Sequence, residues 1–222
     1  MARIARVVAP GFPHHVIQRG NRRQKVFFSD DDKCEYLNIL VKQAEKYGVK
    51  FWAYCLMDNH VHLIVVPSTK ESLTMAIGET HRRYTRRINF REGWRGYLWQ
   101  GRFGSCVLDS SYLYNCVRYV ERNPVRAKMV GQARDYKWSS AQAHLGMRED
   151  HVISDFYLAR EIEDWQRYLD ESDDEEKIRI FHEYIATGRP LGDDNFVEKL
   201  ERITGRELKK NKPGPKQFIL DN

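Results

Sequence analysis

Residues 49–67 read VKFWAYCLMDNHVHLIVVP and hold the strongest strand pattern of the chain. Two apolar runs, 49–57 and 60–67, flank the turn-forming pair Asp58-Asn59. Apolar runs of strand length on either side of such a pair are typical of an antiparallel β-hairpin. The sequence therefore predicts two adjacent strands here, and the neighbouring elements are interpreted around them.

The second strand of this hairpin carries a His-x-His pair. Alternate side chains of a strand share a face, so His60 and His62 project to one side and Val61 projects into the opposite, apolar layer. Two imidazoles about 7 Å apart along a strand can bind one divalent ion. Paired histidines on a strand can also be partly exposed structural residues, so the pair alone leaves both interpretations open.

Elements on either side of the hairpin complete a βαββαβα order. They are a strand over 12–19, a helix from Ser29 to Gly48, a helix over 71–91, a strand over 103–108 and a helix over 112–123. Pro124 is expected to end the last helix, because the residue before a proline is steered out of helical geometry. Each helix has one apolar stripe to bury, so we expect an α+β fold with the helices packed on one side of an antiparallel sheet.

The last predicted helix carries Tyr119 and Asn123, four residues apart and therefore on one helical face. The opposite face is apolar and can dock on the sheet. A phenol and an amide in this relation could deliver a nucleophile and a third metal ligand to the same place. In the alternative interpretation, Tyr119 packs in the core and Asn123 caps the helix end.

A basic and aromatic segment runs from residue 82 to residue 102. It holds seven arginines and one acid, Glu92, and its aromatic residues are Tyr84, Phe90, Trp94, Tyr97 and Trp99. Guanidinium groups neutralise phosphates and aromatic faces stack on unpaired bases, so the segment favours single-stranded nucleic acid. An exposed amphipathic helix followed by an aromatic loop on the core is the alternative. The arginines predicted to contact nucleic acid are Arg19, Arg22, Arg23, Arg82, Arg83, Arg86, Arg87 and Arg102.

Composition favours a basic, cytoplasmic protein. Lys and Arg number 37 against 31 Asp and Glu, a net charge of +6 that suits polyanionic partners. The 4 cysteines form no C-x-x-C pair, and no apolar window is long enough to predict a membrane helix. We expect a main domain over 1–146 and an accessory region over 147–222, in which an acidic segment precedes a basic tail.

Four segments then point to a family: HHVIQRGNRRQ (14–24), LMDNHVHLI (56–64), WQGRF (99–103) and YVERNPVRA (119–127). In this order they resemble the single-tyrosine HUH (IS200-like) transposases, and particularly the REP-associated tyrosine transposases of bacteria. The resemblance covers about residues 1–146. It implies the ferredoxin/RRM-like fold of HUH endonucleases, here followed by a small, mainly helical C-terminal extension. The basic Pro/Gly-rich tail over 212–216 departs from longer relatives because it lacks their Arg-Gly-Arg-Pro core.

The resemblance also implies a function. It makes Tyr119 the nucleophile and makes His60, His62 and Asn123 the ligands of Mg²⁺ or Mn²⁺. The protein would then be a metal-dependent single-stranded DNA endonuclease and strand transferase, which cleaves hairpin-flanked (REP, palindromic) DNA through a 5′-phosphotyrosine intermediate. Only neutral imidazoles bind metal, so activity is expected to decline as the pH falls through about 6.5.

The sequence leaves other questions open. A non-catalytic module that binds single-stranded DNA or RNA on a similar sheet would also explain the arginines. A hydrolase of small phosphate esters would use the histidines but gives no reason for the arginines. The sequence does not decide between a monomer and a homodimer, and it does not identify the group that activates Tyr119. A bacterial, nucleoid-associated location in the cytoplasm is the expectation.

Overall fold

A computed structural model describes residues 4–154 and 157–209. Within these ranges the sheet consists of β1 (His14–Arg19), β2 (Val49–Met57), β3 (His60–Pro67) and β4 (Gly104–Val107). All neighbouring strands are antiparallel, in the order β2-β3-β1-β4. The predicted hairpin and the predicted α+β fold class are confirmed. The basic tail over 212–216 lies outside the described residues.

The helices that connect and cover the strands are α1 (Asp30–Tyr47), α2 (Ser72–Glu92), α3 (Ser110–Glu121), α4 (Asn123–Arg126), α5 (Ala141–His144), α6 (Tyr157–Glu161), α7 (Trp165–Asp170), α8 (Glu175–Thr187) and α9 (Asp194–Thr204). Helix α1 begins and ends where local chemistry predicts. The Ser29 hydroxyl accepts a hydrogen bond from the Asp32 amide at 3.3 Å. Gly48 ends the helix with a φ of 65°, a left-handed conformation that suits glycine.

Helices cover both faces of the sheet. Helices α1 and α2 pack on one face, where Val61 and Leu63 of β3 are fully buried. Helix α3 packs on the other face, against Cys55 of β2 and Ile64 of β3. The expectation of helices on one side only is therefore wrong. The physical reason is that both alternating sets of side chains on β2 and β3 are apolar, so each face needs its own cover.

The C-terminal helices extend this second layer. Trp165 of α7 and Phe181 of α8 belong to the same apolar cluster as α3, and Leu191 bridges to Leu108 beside the sheet. The described residues before and after residue 146 thus share one core. The division into a main domain and an accessory region at that point stays a prediction.

A buried carboxylate ties these helices together. Glu121, at the end of α3, is 0% exposed and accepts hydrogen bonds from three side chains. They are the Ser140 hydroxyl at 2.5 Å, His144 Nδ1 at 2.6 Å and Trp165 Nε1 at 2.9 Å. A buried polar group needs such partners, so the contacts fix α3 relative to α5 and α7.

The four cysteines differ in exposure. Cys34 is exposed, whereas Cys55, Cys106 and Cys116 are buried, and all are free thiols. Burial raises the pKa of Cys106 to about 12, so this thiol is protonated and unreactive in the folded chain. Among the described residues, no helix combines the length and apolarity required to span a bilayer.

Candidate active site

The histidine pair lies on β3, beside β1 and on the face that α3 covers. His60 and His62 share this face, as the alternation predicts, with their ring centroids 5.0 Å apart. His62 is buried, and His60 is half-buried at the mouth of a cavity. The pair therefore combines a fixed inner imidazole with a more accessible outer one.

Each imidazole is oriented by a neighbour. His15 of β1 stacks on His62 with centroids 5.1 Å apart, and its Nε2 lies 2.9 Å from Nδ1 of His62. His60 Nδ1 donates to the Asn59 side-chain oxygen at 2.6 Å. In both rings the Nδ1 atom is engaged, which leaves Nε2 as the nitrogen available to a metal ion.

The two histidines are neutral at physiological pH. Burial, with the charge of Arg19, lowers the pKa of His60 to about 4. Burial, followed by His15 and His60, holds the pKa of His62 well below its ordinary value. Neutral imidazole is the metal-binding form. Protonation of His60 is therefore moved from the expected pH of about 6.5 to about pH 4. The dependence of activity on pH stays a prediction.

Tyr119 faces the same histidines from α3. The apolar stripe of this helix, Leu113, Val117 and Val120, is buried on the sheet. The Tyr119 ring meets His62 edge-on at a centroid distance of 5.6 Å and meets His15 at 6.1 Å. The helix thus brings the phenol and the histidine pair into one cavity, although the side chain is only 8% exposed.

Two basic groups contact Tyr119. His182 of α8 places Nε2 3.1 Å from the phenolic oxygen. The Arg126 guanidinium lies 4.1 Å from the ring centroid and donates to the Tyr119 carbonyl oxygen at 2.8 Å. Burial raises the pKa of Tyr119, and the charge of Arg126 opposes this. The phenol is therefore protonated in the resting protein and lies next to an imidazole that can accept its proton.

Asn123 lines the same cavity, but it belongs to a different helix from the predicted one. Helix α3 ends at Glu121, and Asn123 is the first residue of α4, with Pro124 in its first turn. The prediction that Pro124 ends a helix reaching Asn123 is wrong, because a proline is tolerated in the first turn of a new helix. The side-chain Nδ2 of Asn123 is buried and has no hydrogen-bond partner within the described residues.

The cavity that joins these groups has a volume of about 400 Å³. Strands β1 and β3 form its floor, α3 and α4 form one wall, and α8 forms the other. The described part of the chain contains no cluster of three His, Cys, Asp or Glu side chains suited to a metal. Two imidazoles and an unsatisfied amide, whose oxygen and nitrogen exchange by rotation, nevertheless make a donor set that fits a divalent ion.

The predicted nucleic-acid arginines separate into groups. Arg19 lines the cavity that contains Tyr119, opposite His60 on the neighbouring strand. Arg22 and Arg23 are exposed in the turn that follows β1. Four of the predicted arginines are exposed on α2. Arg82 and Arg83 are both paired with Glu79, and Arg86 and Arg87 lie one turn further along the helix. Arg82 and Arg102 line a second cavity elsewhere.

Three residues of the site were missed in the sequence. His15 stands in the 14–24 segment, Arg126 stands in the 119–127 segment, and neither was given a role. The signal for both was their place in a family-like motif. His182 lies in the region interpreted as accessory, and no local pattern in the sequence marks it.

The sheet order, with a histidine pair on β3 and a tyrosine on the helix after the last strand, defines an HUH-type protein. A family model described as "Transposase IS200 like" matches residues 11–123. The chain belongs to this IS200-like transposase family.

The fold is similar to the solved structure of a REP-associated tyrosine transposase bound to a REP hairpin. The TM-score is 0.56 at 16% identity, over 70% of this chain and 98% of that chain. A protein of Deinococcus radiodurans, provisionally described as a transposase, gives a TM-score of 0.39 at 19% identity, over 54% of this chain and 96% of its own. No curated protein matches the chain.

Proposed function

We propose that this protein is a metal-dependent endonuclease and strand transferase for hairpin-flanked single-stranded DNA, acting through a 5′-phosphotyrosine intermediate in the bacterial cytoplasm. The observation that carries the proposal is the meeting of Tyr119 and His62 in one cavity, with their rings 5.6 Å apart. A core tyrosine with a purely structural role needs no paired imidazoles and no unsatisfied amide around it.

His60 and His62, through Nε2, and the Asn123 amide would hold Mg²⁺ or Mn²⁺. When bound, the ion supplies charge that polarises the scissile phosphate. The Arg126 guanidinium would also stabilise negative charge on this phosphate. Its Nη1 is buried without a partner among the described residues, so a phosphate oxygen entering the cavity would satisfy it.

The nucleophile is the Tyr119 phenolic oxygen. His182 Nε2, at 3.1 Å, accepts its proton as the oxygen attacks phosphorus. A phosphorus–oxygen bond to Tyr119 forms and the bond to the 3′ oxygen breaks. That oxygen leaves with the bonding electron pair and takes up a proton from solvent to become a hydroxyl. The phosphotyrosine bond conserves the energy for rejoining, which is the same reaction run backwards with a new 3′ hydroxyl.

The DNA partner is inferred from charge and from the structural neighbour. That neighbour is bound to a REP hairpin, and this chain displays exposed arginines on α2 and in the turn after β1. Phosphate contacts of this kind position a nucleic acid without reading its sequence. We therefore propose a foldback single strand as the substrate.

The test uses the full chain, Mn²⁺ and foldback single strands labelled at one end only. A 3′ label should become covalently attached to the protein, whereas a 5′ label should leave on a shorter strand that ends in a 3′ hydroxyl. Tyr119→Phe should form no adduct and should still bind the hairpin, with Tyr112→Phe as the matched control. Adduct formation by Tyr119→Phe contradicts the assignment, and binding without any adduct supports the non-catalytic module instead.

A further inference from the structure

A second cavity lies across the sheet from Tyr119, between α2 and the segment 96–103. Its volume is about 460 Å³, within the ~300–1,000 Å³ that is usual for small-ligand sites. Neighbouring residues of β1 line the two cavities: Gln18 lines this one, and Arg19 lines the catalytic one. Only the end of β1 therefore separates the two.

Aromatic groups form the walls of this second cavity. Trp99 stacks on His81 with ring centroids 4.4 Å apart and is 5% exposed. Its Nε1 is buried and finds no acceptor within the described residues, an arrangement that a ligand oxygen or nitrogen would relieve. Tyr97, at the rim, is 88% exposed. A large aromatic ring held in solvent beside an aromatic cavity is suited to stacking on a planar ligand.

The charge of this cavity is positive. The Arg6 guanidinium lies 3.5 Å from the centroid of the Phe103 ring and donates to the Phe103 carbonyl at 3.0 Å and to the Thr74 hydroxyl at 3.1 Å. Arg82, which is paired with Glu79, and Arg102 stand exposed at the mouth. No acidic side chain is among the described residues that line the cavity. Fixed cations beside an aromatic wall are complementary to a base with its attached phosphate.

We propose that this cavity binds one unpaired nucleotide of the DNA strand that is cleaved at Tyr119. The inference rests on the proposed function for its DNA ligand, and it assigns a base-binding role to the 96–103 segment. That segment is hydrogen-bonded to the end of β1, since Gln100 N donates to the Arg19 carbonyl and Asn21 N donates to the Leu98 carbonyl, both at 2.8 Å. A base held here fixes which phosphate reaches the catalytic cavity.

Glycine positions allow the cavity to be filled selectively. Gly78 lies on α2 and lines the cavity, and a Cβ built there meets no atom within 4 Å. Gly78→Phe should therefore occupy the cavity without displacing backbone. Gly131 is exposed and equally free of neighbours within 4 Å, so Gly131→Phe is a matched control outside the cavity. Tyr97→Ala removes the exposed ring and is a second test that leaves the core intact.

The measurement is binding of labelled DNA hairpins with single-stranded flanks to the full chain in chelator, by fluorescence anisotropy. Each unpaired nucleotide is replaced in turn by an abasic unit. One position should weaken binding by about tenfold in the wild type and in Gly131→Phe. Gly78→Phe and Tyr97→Ala should bind the intact DNA about tenfold more weakly than the wild type. In these two variants the abasic unit at the sensitive position should weaken binding little further, because the protein change and the DNA change remove the same contact.

The outcomes separate this inference from the proposed function. An undiminished abasic penalty in both variants, or no sensitive position in the wild type, overturns the cavity assignment even if the Tyr119 adduct forms. Coupling between the cavity variants and one abasic position, without any adduct, supports the cavity and contradicts the strand-transfer chemistry. Preferential binding of the same hairpin made of RNA through this cavity overturns the assignment of DNA as its ligand.

Discussion

Replacement of His182 by glutamine tests the proton path from Tyr119. Partial desolvation and the charges of Arg126 and Arg19 hold the pKa of His182 below its ordinary value of 6.5. The imidazole is therefore mostly neutral at pH 7 and can accept the phenolic proton across 3.1 Å. Glutamine preserves a hydrogen-bonding group of similar reach but cannot take up a proton.

The size of the effect follows from the exposure of this histidine. A positioned general base contributes about 10²–10⁴-fold to a rate. Because His182 is exposed, water can partly replace it, so we expect the lower end, a loss of about 10²-fold in adduct formation. This corresponds to about 2.7 kcal/mol of transition-state stabilisation.

The assay is the rate of Tyr119 adduct formation in Mn²⁺ across about pH 4.5–8.5. The wild-type rate should fall as the pH drops through the pKa of His182, because the protonated ring cannot accept a proton. Loss of His60 as a ligand follows only near pH 4, since its pKa is about 4. His182→Gln should lose the first decline, whereas His151→Gln, a variant of another exposed histidine, should keep it. A glutamine variant with the wild-type rate and pH profile refutes this reasoning.

Three further predictions concern the metal ligands and the core. His60→Ala and His62→Ala should each remove metal affinity, measured by calorimetry, together with adduct formation; unchanged activity of the double variant in chelator would contradict the ligand assignment. Burial lowers the pKa of His15 and of His81 in the folded chain to about 3. Below about pH 6.5 the unfolded chain therefore binds protons that the folded chain does not bind. Each of the two histidines should lower the free energy of unfolding by ~1.4 kcal/mol for every pH unit below that value. A urea midpoint that does not change between about pH 7 and pH 5 would count against this. Glu121→Ala strips three buried donors of their acceptor and should lower the free energy of unfolding by ~3–5 kcal/mol in urea titrations, and a change below about 1 kcal/mol would argue that the contacts are dispensable.

Most elements of the fold can be predicted from short sequence patterns. The Asp58-Asn59 turn, the cap at Ser29 and the glycine at Gly48 each act on residues next to them in the sequence, so the sequence predicts these element ends well. The end of α3 is not predicted correctly, because Pro124 lies in the first turn of the next helix, α4, and α3 already ends at Glu121. The second helical layer was also missed, although apolar residues such as Cys55 and Ile64 on the other face of the sheet indicated that it was covered.

The candidate site was predictable only as far as its motifs reach. His60, His62, Tyr119 and Asn123 stand in segments that resemble a family, and they line one cavity. His182 is 63 residues from Tyr119, and their contact arises from the packing of α8, which spacing in the sequence does not reveal. The contact between His15 and His62 depends on strand register, which is likewise set by the folded sheet.

Because the cysteines differ in burial, the rate at which a reagent modifies each thiol can report local opening of the folded chain. A thiol reagent should modify the exposed Cys34 rapidly, whereas Cys106 and Cys116 become accessible only when the layer beneath α3 opens. The slow phase of labelling would then measure the free energy of that opening without any engineered probe. If bound DNA slows this phase, the change in rate would measure how much the DNA stabilises the packing of the helix that carries Tyr119.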